Sequence, residues 1–244
     1  MSTRALAAQA RAEVRMTLRQ GEQLLLTLAI PLGLLIFFSL VDVLPKPTGV
    51  RHPVDFLAPG ILALAVMSTA MVGLAIATGF ERQYGVLKRL GTTPLGRPRL
   101  LAAKTIAVAT VEAIQVVVIV AVALLLGWRV HGDPALAIPA VLLATAAFAG
   151  IGLLMAGRLR GEVTLAAANG LYLVLLLLSG MIIPLSKLPG PLRAIARLLP
   201  SGALSDALHG AVAAGGSVPA RAWVVLIVWA VLAPAAAALT FRWE

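Results

Sequence analysis

Charged residues are scarce in this sequence, and cysteine is absent. The absence of cysteine among the 244 residues excludes disulfides and thiolate metal sites, and it leaves the redox compartment undetermined. Only 12% of the residues are charged, whereas soluble domains average about 25%. Mean hydropathy is +0.98. The composition therefore excludes a soluble globular protein and indicates a membrane protein.

Acidic residues are half as frequent as basic ones, 10 against 20, which gives a net charge of +10. A similar excess occurs in nucleic-acid-binding proteins, but these basic residues flank apolar runs, where they orient membrane spans. No nucleic-acid partner is therefore expected. The three histidines (His52, His131 and His209) are scattered along the chain, so no metal site is expected either.

Six apolar runs are long enough to cross a hydrocarbon core about 30 Å thick, which needs about 20 helical residues. The predicted spans cover about residues 24–44, 57–80, 101–127, 135–157, 163–185 and 222–241. No loop between them is long enough for a soluble domain. The sequence therefore predicts one all-α transmembrane domain over residues 1–244. No A-x-A site closely follows the first run, so we interpret that run as a span rather than a cleaved signal peptide.

The distribution of basic residues predicts how the spans are oriented. With a cytoplasmic N-terminus, the inner segments hold 13 of the 20 Lys and Arg residues and the outer segments hold the other seven. The positive-inside rule favours this arrangement. Both termini are therefore predicted to be cytoplasmic. The high Ala, Val and Arg content is typical of a GC-rich bacterial source, so the expected location is a bacterial inner membrane.

Two segments outside the spans have amphipathic patterns. Residues 4–20 place apolar side chains on one helical stripe and arginines on a neighbouring one, which predicts an interfacial helix. The alternative is a simple basic tail. Residues 186–215 are too polar to span, and three prolines interrupt them. We expect broken amphipathic helices that enter the outer leaflet before the last span.

The segment of residues 81–99, ERQYGVLKRLGTTPLGRPR, lies between two apolar runs, and its charged residues are mostly basic. Read as a helix, it places Tyr84, Leu87 and Leu90 near one face. Such a short amphipathic helix, over about residues 81–93, is suited to insertion into a groove of a soluble partner. The alternative is an ordinary basic loop of the kind that the positive-inside rule produces.

The ends of this predicted helix also follow from the sequence. Glu81 would lie near the helix N-terminus, where a carboxylate is favourable. Gly91 and Pro94 would stop the helix. The helix would then be a compact element on a cytoplasmic loop between the second and third spans.

The segment resembles the permease subunits of ABC-2 type transporters. The shared pattern is E-R-x-x-G-x-L-x-x-L, then a Thr-Pro-Leu turn and a basic entry into the next helix. The matching residues are Glu81, Arg82, Gly85, Leu87, Leu90, Thr93, Pro94, Leu95 and Arg97. The six spans, the N-terminal interfacial helix and the broken segment before the last span extend the resemblance over the whole chain.

The resemblance implies that the segment is a coupling helix, which docks into a nucleotide-binding subunit and transmits its movement to the spans. It assigns ATPase docking to Glu81, Arg82, Tyr84, Gly85, Leu87, Leu90 and Pro94. It also implies two ABC ATPase subunits and a second permease, either another copy or a sister chain. The function implied is that of the membrane-spanning permease subunit of an ATP-driven exporter.

ATP hydrolysis is expected in a partner rather than in this chain. None of the four lysines follows a glycine, so the chain has no G-x-x-x-x-G-K-[ST] motif. We therefore expect no catalytic residues here, with ATP and Mg bound by the partner ATPase.

The exported substrate is predicted only as a chemical class. The chain has four Trp, two Tyr and six Phe, and sugar chains commonly stack on aromatic rings. This scarcity favours a lipophilic or amphiphilic small molecule, such as an antibiotic, over a polysaccharide or lipid-linked glycan. The rivals from other classes are an ion-coupled secondary transporter and a non-transporting membrane scaffold.

Polar residues within the predicted spans are the other candidates for function. Glu112 and Gln115 share one face of the third span. They would lie on the path or at the dimer interface, or form buried hydrogen bonds to a neighbouring helix. Asn169 and Tyr172, in the fifth span, would face a substrate cavity or bond to another helix. Lys104 is expected to extend its ammonium group to the interface.

Small residues are concentrated in the fourth predicted span. They include Ala146, Gly150, Gly152 and Ala156. Small side chains allow membrane helices to approach closely, so this span is predicted to pack tightly against its neighbours.

Overall fold

The computed structural model describes residues 9, 11–15, 21–41, 52–87, 97–213 and 216–241. Within these ranges the chain forms helices and short turns, and it contains no strand, in agreement with the predicted all-α class. Residues 11–15 are helical. The longer helices are α1 (Gly21–Leu40), α2 (Pro53–Gln83), α3 (Arg97–Leu125), α4 (Ala137–Ala156), α5 (Gly161–Leu177), α6 (Gly190–Ala196), α7 (Pro200–Val212) and α8 (Ala220–Thr240).

Four of the described helices are long and apolar enough to cross a membrane. They are α2, α3, α8 and the helical stretch Pro134–Ala156, which joins a 3-10 turn to α4. The first and fifth predicted spans fall instead on shorter apolar helices, within α1 and on α5. The structure thus gives a multi-pass membrane protein, and the count of six spans stays a prediction.

The fifth predicted span ends earlier than the sequence indicated, at Leu177 instead of Leu185. Ser179 donates a hydrogen bond from its hydroxyl to the carbonyl of Leu176, at 2.7 Å. Gly180 then adopts a positive φ of 77°, a conformation that glycine reaches without steric cost. Apolarity alone did not reveal this end, because the residues beyond the turn are also hydrophobic.

Helix α2 is the most buried of the four long helices. Its middle section, Ser68–Gly73, is π-helical, an irregularity that is frequent at functional sites. The main apolar cluster is centred on α2: its large members include Ile61 and Met67 of α2 and Phe148 of α4. A movement of α2 would therefore displace side chains that pack against it from most of the other described helices.

Two glycines confirm that the fourth predicted span packs closely. A Cβ at Gly150 would lie 2.4 Å from the backbone nitrogen of Pro234 in α8. A Cβ at Gly152 would lie 2.6 Å from the carbonyl oxygen of Met71 in the π-helical section. Both contacts are to backbone atoms, so α4 can sit between α2 and α8 only because these positions lack side chains.

The broken segment before the last helix is present as α6 and α7, but α7 is largely buried in the protein. His209 of α7 lies 3.0 Å through Nε2 from the carbonyl oxygen of Phe56 in α2. The carbonyl of Val212 accepts hydrogen bonds from the backbone amides of His131 and Gly132, each at 3.1 Å. Helix α7 is therefore part of the core of the chain, while the entry of this segment into the outer leaflet stays a prediction.

Candidate functional site

The end of α2 carries the residues predicted to dock an ATPase, but its local geometry differs from the prediction. Glu81 lies in the last turn of α2 rather than at the start of a new helix, so the expected helix N-terminus is wrong. The backbone amide of Tyr84 donates to Phe80, and that of Gly85 donates to Arg82. Gly85 has a φ of 73°, which is the usual glycine termination of a helix.

This termination separates two side chains that were predicted to share a face. Tyr84 is 73% exposed, whereas Leu87 is completely buried. Leu87 belongs to a second apolar cluster with Leu100, Leu153 and Phe241. The predicted common face of Tyr84 and Leu87 is therefore wrong, because Leu87 packs inside this chain.

The remaining predicted docking residues, Leu90 and Pro94, lie outside the described residues. Next to the break, Val86 is exposed together with Tyr84. The Tyr84 ring stacks on that of Phe80 with 6.1 Å between the centroids. A partner approaching this end of α2 would thus meet Tyr84 and Val86 rather than Leu87.

Lys104 of α3 is the centre of a buried group of charges. Its ammonium nitrogen lies 2.6 Å from a carboxylate oxygen of Glu81 and 3.3 Å from one of Glu13. The side chains of Lys104, Glu13 and Glu81 are 2%, 9% and 26% exposed, respectively. The expectation that Lys104 extends to the interface is wrong, because two carboxylates from distant parts of the sequence surround its ammonium group.

Arg82 connects α2 to the end of α4. Its guanidinium donates to the carbonyl of Gly157, at 2.9 Å, and to that of Leu159. The last carbonyls of a helix have no partners within it, and a cation near them is also favoured by the helix dipole. Arg82 and the Lys104 group therefore hold the end of α2 to α3, α4 and the helical residues 11–15.

A polar cluster lies deeper, between α3 and its neighbours. Glu112 and Gln115 are 2% and 1% exposed. A carboxyl oxygen of Glu112 lies within hydrogen-bonding distance of the hydroxyl of Thr145 in α4. Gln115 accepts from the hydroxyl of Thr69 in the π-helical section at 2.9 Å and donates to the carbonyl of Thr27 in α1 at 3.2 Å.

The structure thus places both predicted polar residues of α3 inside this chain, bonded to neighbouring helices. Any part that they play in transport stays a prediction. Their partners Thr69 and Thr145 were not predicted, although each is a hydroxyl residue in an apolar run. Such a residue is a natural partner for a carboxyl or amide group on a neighbouring membrane helix.

The structure does not bring the two polar residues of α5 into this cluster. Asn169 is exposed, and its amide donates to the carbonyl of Leu165 in the same helix at 2.9 Å. Tyr172 is half-buried and packs against the main apolar cluster. Among the described residues, Asn169 makes no hydrogen bond to another helix, so its side chain lies on the outer surface of this chain.

Comparison with known proteins gives one family. A family model described as ABC-2 type transporter matches residues 4–212, which covers α1 to α7 and the segment around Glu81. No curated protein matches the sequence.

Proposed function

Because this chain belongs to the ABC-2 type transporter family, we propose that it is the permease subunit of an ATP-driven exporter. Two ABC ATPase subunits would supply the energy, binding ATP and Mg. A second copy of this chain, or a sister permease, would complete the path. The proposed substrate is a lipophilic or amphiphilic small molecule, such as an antibiotic, that leaves a bacterial cell through the inner membrane.

The observation that carries this proposal is the way the end of α2 is held. Lys104 pairs with Glu81, and Arg82 binds the carbonyls at the end of α4. A displacement applied beside Tyr84 would therefore be passed to several helices at once, since these polar contacts connect them. That is the mechanical property a permease needs if its power comes from another subunit.

The docking surface that we propose consists of Tyr84, Val86 and the residues that follow the break. Tyr84 and Val86 are the exposed large hydrophobic residues in the described part of this segment. An exposed tyrosine is also the kind of aromatic anchor that dominates many protein interfaces. Leu87 supports this surface from inside through the second apolar cluster.

The experiment is co-expression with the ABC ATPase encoded nearest to this chain, followed by purification through a tag on this chain. A stable complex that hydrolyses ATP is expected. The variant Tyr84→Asp with Val86→Asp should bind the ATPase about 30-fold more weakly, because losing one aromatic anchor typically costs about 2 kcal/mol and each 1.4 kcal/mol is a factor of ten. The control Leu192→Asp changes an exposed leucine of α6 and should leave capture unchanged.

Two results would count against the proposal in different ways. If the wild-type chain captures no ATPase and its transport responds to an ion gradient, an ion-coupled secondary transporter becomes the better explanation. If capture is normal in the doubly substituted variant, the permease assignment stands and the docking surface is elsewhere.

A further inference from the structure

The hydrogen bonds around Thr145 determine where the proton of Glu112 must be. The Thr145 hydroxyl lies 2.9 Å from the carbonyl oxygen of Val141, one turn earlier in α4. It is also within bonding distance of Oε2 of Glu112. A hydroxyl has a single proton to donate, so Thr145 can be the donor in only one of these two contacts.

An ionised Glu112 fits these surroundings poorly. Its Oε2 would accept at most one hydrogen bond, and Oε1 is buried with no hydrogen-bond partner among the described residues. Buried carboxylates are normally paired or surrounded by several donors. A carboxylic acid fits, because its own O–H supplies the second proton while Thr145 donates to Val141, a common bond for threonine in a helix.

The helices packed against α3 bring no compensating charge to this place. Helix α4 has no ionisable residue. The ionisable residues of α2 lie at its two ends, at Asp55 and in its last turn, and the only one in α8 is Arg221, which pairs with Asp206. In α1 the only one is Glu22, in its first turn.

On α3 itself, Lys104 is the nearest ionisable residue to Glu112 in the sequence. It precedes Glu112 by about two helical turns, or roughly 12 Å. Its ammonium group is already bound by Glu81 and Glu13. The helical residues 11–15, which reach α3 at Lys104, carry Arg11 and Arg15, and both are exposed. No described cation is therefore placed to stabilise an ionised Glu112.

We propose that Glu112 is a proton-binding site in the interior of the helix bundle. Its carboxyl group holds a proton at neutral pH and donates a hydrogen bond through it to the hydroxyl oxygen of Thr145. The bound proton makes Glu112 a neutral donor that joins α3 to α4. One helical turn further on, Gln115 joins α3 to the π-helical section of α2. This inference rests on the geometry of the chain and does not depend on the proposed transport function.

Infrared difference spectroscopy of the full chain in lipid nanodiscs tests the proposal. The wild-type spectrum at neutral pH should contain the C=O band of a protonated carboxyl, and Glu112→Gln should remove it. The control Glu162→Gln removes an exposed acid at the start of α5 and should instead remove carboxylate bands. If Glu112→Gln removes carboxylate bands as Glu162→Gln does, the residue is ionised and the proposal is wrong.

A second measurement keeps the test independent of how well the variant folds. In the wild-type chain alone, the protonated-carboxyl band should be present at neutral pH, where exposed acids are ionised. In a separate comparison, Thr145→Val should shift this band, because it removes the hydroxyl that Glu112 contacts. It should be retained in Thr145→Ser, which keeps the hydroxyl. A wild-type spectrum without this band at neutral pH would overturn the proposal.

Discussion

Removal of the ammonium group of Lys104 should destabilise the chain strongly. In Lys104→Met, the carboxylates of Glu13 and Glu81 would lose the cation that lies 3.3 and 2.6 Å from them. Breaking a buried ion pair by removing one partner typically costs about 3–5 kcal/mol, because the other charge stays buried without compensation. Since Glu81 is 26% exposed, water can partly solvate it, and we expect the low end, about 3 kcal/mol.

This loss can be measured by thermal unfolding of the purified chain in detergent. For a chain of this size, about 3 kcal/mol corresponds to a decrease in Tm of roughly 6–12 °C. The matched control is Lys187→Met, which removes an exposed lysine and should change Tm little. Equal Tm values for the two variants would refute the reasoning that the Lys104 group is a buried network.

Most of the stability lost in Lys104→Met should come from the two carboxylates that are left buried without their cation. Adding Glu13→Gln and Glu81→Gln to Lys104→Met removes every charge of the group, and neutral replacements of a buried ion network are often tolerated. The triple variant should therefore recover most of the lost Tm. A triple variant that is less stable than Lys104→Met would mean that the packing of the Lys104 side chain, and not its charge, stabilises the helices.

Three further outcomes are expected from thermal unfolding measurements on the purified chain. Arg82→Gln should lower stability by about 1.5–3 kcal/mol, because charge-assisted hydrogen bonds to the end of α4 are lost, and Arg82→Lys should recover part of this. Gly152→Ala should lower stability by about 1–3 kcal/mol, since its Cβ would collide with the carbonyl of Met71, whereas Gly170→Ala, with no atom within 4 Å of the new Cβ, should be tolerated. Burial lowers the pKa of the His209 imidazole, so the unfolded chain binds a proton there more readily than the folded chain does. The free energy of unfolding should therefore be highest above about pH 6.5 and decrease as the pH falls below it. His209→Gln should remove that dependence.

The apolar runs predicted much of the fold because they follow directly from the thickness of the membrane. Helices α2, α3 and α8 lie close to their predicted positions. The glycines of α4 predicted close packing, since a missing side chain has a direct steric consequence. The end of α5 was not predicted, because it depends on one serine hydroxyl and one glycine conformation inside an apolar sequence.

The candidate site was less predictable, since its contacts join distant parts of the sequence. A lysine near the end of an apolar run is expected to extend its ammonium group to the membrane interface unless carboxylate partners are nearby, and this was the basis of the prediction for Lys104. Its partners Glu13 and Glu81 come from two other segments, and only the fold brings them together. The same holds for Glu112 and Thr145, whose hydrogen bond is formed by the packing of α3 on α4.

Tyr84 and Leu87 point to different surroundings for a local reason, while ATPase docking by this segment stays a prediction. Residues three apart share a face only within one uninterrupted helix, and Gly85 interrupts the helix between Tyr84 and Leu87. The positive φ of Gly85 redirects the chain, so Leu87 returns to the protein while Tyr84 stays in contact with solvent. The glycine of the E-R-x-x-G pattern is therefore best understood as the residue that separates an outer, exposed side chain from an inner, anchoring one.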